Sequence, residues 1–152
     1  MSEIKRFRFG RALLAGLVAT VVLSAVMLMK HAMGLMPQLN AIAMISHMMG
    51  ASLAVGWIVH FTIGAVLWGL LYAWLNPRLA GPQWLRGVEF ATGAWLIMMI
   101  MLMPMAGAGA FGLKIGMMAP VATLMLHWIY GAVLGTIYGA GRGARPVRVA
   151  AA

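Results

Sequence analysis

The sequence predicts an all-α membrane protein with four transmembrane helices arranged as two parallel two-helix repeats. Three observations carry this. Hydrophobic residues make up 64% of the 152 residues and charged residues only 9%, whereas a soluble domain carries about a quarter charged residues. Four stretches approach the roughly 20 apolar residues that a helix needs to cross a bilayer. A histidine–glycine signature occurs twice, in "HFTIGAVLWGLLYA" from His60 and "HWIYGAVLGTIYGA" from His127. At this length the expectation is a single domain over residues 1–152.

The first span is expected over roughly Arg11 to Met33. Ala12 to Met29 is uncharged and is followed by Lys30. That apolar run exceeds the roughly 7–15 residues of a signal peptide, which favours a retained helix. The second span is expected over Ser52 to Leu75, ended by Asn76-Pro77. The third runs from Gly87 to Ala106, and "AGAGAFG" after it reads as a turn. The fourth runs from Gly116 to Ala140. Pro120 falls in its first turn, where a missing N–H costs little.

Lys and Arg set the orientation. Lys5, Arg6, Arg8, Arg11, Arg78, Arg86, Arg142, Arg145 and Arg148 fall on one side, and Lys30 and Lys114 on the other. Nine charges against two predict both termini in the cytoplasm, with Trp74, Trp84 and Tyr138 at the headgroup layer on that side. The net charge of +9 is spread over three membrane-flanking segments. A nucleic-acid binder would cluster it on one face, so the partners expected are the lipid bilayer and other membrane subunits, not nucleic acid.

The doubled signature belongs to a longer repeat. "MLM" occurs at Met27 and Met101, and "AMGLM" from Ala32 answers "AFGLK" from Ala110. Repeat 1 covers about residues 11–76 and repeat 2 about 86–141. Two spans per unit put both units in the membrane in the same direction, with the symmetry axis along the membrane normal. The first half holds extra residues. Gln38 to Met49 within them is too short to span and is expected as a short helix at the outer surface.

The segments "GLVATVVLSAVMLMK…GLMP", "HFTIGAVLWGLLYA" and "MAGAGAFG…PVATLMLHWIYGAVLGTIYG" resemble a family of small bacterial four-helix integral membrane proteins known only as a domain of unknown function. The resemblance implies a bacterial inner membrane and the four-helix architecture. It supplies no catalytic residues.

The chemistry available is narrow. The acids are Glu3 and Glu89, with no Asp and no Cys. Paired carboxylates, a Ser-His-Asp triad and thiolate chemistry are excluded. Glu89 is expected to pair with Arg86 across one helical turn. The expectation is therefore a non-enzymatic protein, serving as an accessory subunit of a larger membrane assembly.

His60 and His127 are expected about 12–17 Å below the outer edge, by the 1.5 Å helical rise. An ionisable side chain at that depth is a functional hypothesis. Each has a glycine four residues on, Gly64 and Gly131, on the same helix face. Two readings fit. In one, the glycines leave an opening for a haem b, with the two imidazoles as axial ligands. In the other, they let helices approach and the imidazoles hydrogen-bond across the contact. A third candidate is the outer segment "MLMKHAMGLMPQLNAIAMISHMMG", with seven methionines and two histidines. Thioether and imidazole ligands suit Cu(I), so His31, His47, Met33, Met36 and Met48 are candidate copper ligands. Methionine as a plastic core filler is the competing reading.

Overall fold

The computed structural model describes residues 8–140. Five helices organise them: α1 (Phe9–Ala32), a short α2 (Ala41–Met49), α3 (Leu53–Arg78), α4 (Gln83–Met105) and α5 (Ala119–Gly139). All but α2 are long and apolar enough to cross a membrane. Only 28–33% of the most apolar window of each is buried within the chain. The outward residues include Leu14, Leu17, Val21, Ile58, Leu67, Ile97 and Ile100, all exposed. Faces this apolar on every long helix demand a lipid solvent.

The predicted spans lie within a few residues of the observed helices. Pro77 lies in a single 3-10 turn, Asn76–Arg78, that ends α3. Pro120 sits in the first turn of α5, as expected. Gly107, Gly109 and Gly112 all have positive φ and make the predicted turn after α4. The predicted short helix is α2. Its Asn40 side chain accepts the Ala43 N–H at 3.0 Å, and Gly50 ends it in the left-handed conformation, the usual helix-stop geometry.

Two of the long helices contain wider π-helical turns, Thr62–Trp68 in α3 and Met98–Leu102 in α4. The second precedes Pro104, whose ring crowds the carbonyl four residues back and which donates no hydrogen bond. A widened turn accommodates both effects. In the first, Gly64 presents its carbonyl to the Tyr130 hydroxyl at 2.6 Å.

The bundle is a ring in which α1 touches α3 and α5, and α5 touches α4. The α3–α4 side closes through large rings. Phe90 meets Trp68 and Tyr72 edge-on, with centroids 5.8 and 5.4 Å apart. The α1–α3 and α4–α5 contacts are made by small residues instead. A Cβ on Gly69 would lie 2.7 Å from the Ala12 carbonyl oxygen, and one on Gly16 would meet the Ala65 carbonyl. A Cβ on Gly87 would meet the Gly131 carbonyl. Small residues bring membrane helices to backbone contact in this way.

Arg11 donates to the Ile137 carbonyl at 3.4 Å, so the start of α1 and the end of α5 lie at one end of the bundle. That end also holds a buried polar network. Asn76 donates to the Tyr72 hydroxyl at 2.8 Å and the Gln83 side chain at 2.9 Å. Arg86 donates to the Gly81 and Asn76 carbonyls, at 2.8 and 3.3 Å. It is spent on backbone, not on the pairing with Glu89 expected from their spacing. Tyr138, expected at the headgroup layer, is instead buried, with its ring edge-on to Tyr72. Trp74 and Trp84 are exposed.

The opposite end, reached by Lys30, carries α2 and the turn after α4. The Lys30 ammonium donates to the carbonyls of Leu35, Met36 and Leu39 at 2.9–3.1 Å. It closes the chain reversal after α1. The short helix lies against the start of α3, where a Cβ on Gly56 would meet Ser46 Oγ and the Ile42 carbonyl.

Candidate functional site

His60 and His127 hold matching sequence positions and have different surroundings. Both are half-buried. His60 Nε2 lies 3.1 Å from Ser24 Oγ of α1. Its ring meets Trp57 and Phe61 edge-on, at 5.9 and 5.7 Å. His127 Nδ1 lies 2.8 Å from the Thr123 carbonyl, one turn back on its own helix. A carbonyl only accepts, so Nδ1 carries a proton there.

The difference follows from what each helix faces. Along α1, Ala12, Gly16, Thr20 and Ser24 recur every fourth residue and form one stripe. They meet, in order, Gly69, Ala65, Gly64 and His60 of α3. On α4 the stripe is Gln83, Gly87 and Ala91, and it meets Gly139, Gly135 and Gly131 of α5. Four residues beyond Ala91 stands Trp95. Its indole donates to Thr123 Oγ1 at 3.0 Å and the Pro120 carbonyl at 3.2 Å. A serine answers the histidine on one side, and a tryptophan occupies the next step of the stripe on the other.

The two glycines are packing positions. A Cβ on Gly64 would collide with Thr20 Oγ1, and one on Gly131 with the Gly87 carbonyl oxygen. The opening beside each imidazole that the sequence suggested is taken up by the neighbouring helix. The two halves meet through Tyr130, whose hydroxyl donates to the Gly64 carbonyl. Tyr130 is 4% exposed and lies one turn beyond His127.

The methionines divide by environment. Met99 and Met103 are fully buried, in a cluster with Leu39 and Ala108 against which Met36, Met44, Trp95 and Phe111 pack. Met36 is therefore part of an apolar core. His31 and Met33 are exposed at the end of α1. His47 and Met48 lie on α2, where they line a groove together with Met44 and Met105. The five candidate copper ligands are thus split among three places: the end of α1, the apolar core and the groove. Among the described residues no group of three or more His, Cys, Asp or Glu side chains is placed to hold a metal.

A family model matches residues 8–149 and carries the description "Family of unknown function (DUF6789)". The chain belongs to the DUF6789 family. No curated protein and no solved structure matches it.

In this DUF6789 protein, several residues that build the site were not singled out from sequence. Ser24 has no Asp to make it a nucleophile and carries no motif. Its place at the fourth step of an α1 stripe of small residues was the available signal. Tyr130 and Thr20 are common membrane-helix residues whose spacing marks nothing. Met105 lies 57 residues after Met48, and only the fold brings the two to one groove.

Proposed function

We propose that this chain is a non-enzymatic integral membrane protein, an accessory subunit in which the doubled histidine–glycine motif is a helix-packing device. One observation carries this reading: the Cβ positions of both Gly64 and Gly131 are filled by neighbouring helices. The hydrogen bonds of His60 and His127 stay within their own halves, to Ser24 and Thr123. The matched use of the two glycines supports descent from a duplicated helix pair, repeat 1 over about residues 11–76 and repeat 2 over about 86–141. The charge distribution and the family resemblance support the bacterial inner membrane, with both termini cytoplasmic.

The test is the absorption spectrum of protein purified from haem-replete cells. A colourless preparation is expected, with His60→Ala and His127→Ala each still folding. A six-coordinate b-type haem spectrum lost in both variants would overturn the packing reading and make the pair axial ligands.

A further inference from the structure

The groove beside α2 gathers side chains that the packing of the bundle consumes only in part: His47, Met48 and Met105 are exposed, and Met44 is half-buried, at once against the Met99 cluster and on the groove wall. The buried residues of α2 are Ile42 and Ser46, turned to Gly56 of α3. Met44, His47 and Met48 stand at positions i, i+3 and i+4, which neighbour one another on a helix. Met105, at the end of α4, lies across from them. These four, with Gln38 and Asn40, line a hollow of about 540 Å³. His47 also borders a second hollow of about 220 Å³ on the Gly50 side.

Core filling explains Met99 and Met103, at 0% and 2% exposure, but not Met105 at 70% or Met48 at 37%. A methionine that fills a gap is buried by what it fills. Lipid contact does not explain the groove either, because Gln38, Asn40 and His47 share it. Its soft donors are three thioethers and one imidazole; the Asn40 side-chain oxygen is taken by the Ala43 N–H, which leaves the Gln38 amide as the other side-chain oxygen on the wall, too few for the several oxygens that a hard cation gathers. Hard cations require oxygen ligands, and zinc sites draw on thiolate, imidazole and carboxylate. Glu89 is the sole carboxylate side chain among the described residues, and it does not line the groove. Thioether donors select soft Cu(I).

We propose that this groove binds one soft monovalent cation, Cu(I), through the His47 imidazole and the thioethers of Met44, Met48 and Met105. The site differs from the one read off the sequence. It drops His31, Met33 and Met36, and it gains Met44 and Met105. It is independent of the packing role of His60 and His127, so a haem spectrum would overturn that role and leave this site standing.

The experiment is an anaerobic competition between the full-length protein in detergent and a chromogenic Cu(I) chelator. Wild type is expected to withdraw one equivalent of copper per chain, unaffected by excess Zn(II). His47→Ala and Met105→Leu should each weaken retention by at least the ~10-fold that losing even an outer partner of a metal ligand costs. Met33→Leu, outside the groove, and Met99→Leu, in the core, should retain copper as wild type does. X-ray absorption of the copper-loaded wild type needs no variant, and sulfur with imidazole nitrogen around the metal is expected. A chelator that keeps all the copper, retention unchanged in His47→Ala and Met105→Leu, equal loss in Met33→Leu, or a spectrum without sulfur would each overturn the site.

Discussion

His60 and Ser24 show how one hydrogen bond gives two equivalent-looking histidines different roles. Ser24 is 6% exposed, so its hydroxyl depends on the imidazole 3.1 Å away and on its own helix for partners. Ser24→Ala should cost about 0.6–1.7 kcal/mol, the range for interhelical hydrogen bonds in membranes. His60→Ala should cost more, because it also strips ring contacts with Trp57 and Phe61. Unfolding of the single and double variants in mixed micelles measures both. The two losses should be less than additive, since either change removes the same bond. Full additivity would mean the bond contributes nothing. Tyr130→Phe is the corresponding test across the halves. It removes the phenol donor from a carbonyl that sits within the π-helical turn, and about 0.5–1.5 kcal/mol should be lost, the net worth of one hydrogen bond.

At the scale of the helix, the glycines separate into those that touch and those that do not. Gly87 lies against the Gly131 carbonyl and the Gly135 amide, while Gly93, six residues on in the same helix, has open space where a Cβ would go. Gly87→Ala should force α4 and α5 apart and cost about 1–3 kcal/mol, the usual penalty of overpacking. Gly93→Ala should be neutral or stabilising by about 0.5–1 kcal/mol, because alanine has less backbone entropy to lose. Thermal unfolding of the two variants side by side makes the comparison, and equal effects would sink the packing account. Elements of this kind were partly legible in the sequence. Span lengths, the Asn76-Pro77 stop and the extra helix near Gln38 followed from hydropathy and turn chemistry, which are local. The α1 stripe of Ala12, Gly16, Thr20 and Ser24 was also present in the letters. Its meaning depends on which helix faces it, and that is a tertiary fact. The π turn in α3 and the Lys30 closure of the chain reversal left no local pattern, and Pro104 marks the π turn in α4 only once the helix is known to run through it. They arise from how the chain is accommodated, near Pro104 in one case and by three converging carbonyls in another.

For the molecule as a whole, the decisive variable is which end of the bundle faces the cytoplasm. Arg11, Arg78 and Arg86 belong to the end where α1 begins and α5 finishes; Lys30 and Lys114 belong to the other. Lys30 keeps its charge while three carbonyls hold its ammonium, and it counts with Lys114 against the nine cations of the other side. The asymmetry predicts that the α2 end is external. The chain has no cysteine, so a single introduced thiol reports without background. Gln38 and Ala80 are exposed at opposite ends. Gln38→Cys in intact cells should react with a membrane-impermeant maleimide, and Ala80→Cys should react only after permeabilisation. The reverse pattern would invert the protein in the membrane. It would also move the Met44–His47–Met48–Met105 groove to the cytoplasmic face, where any copper it held would exchange with a different pool.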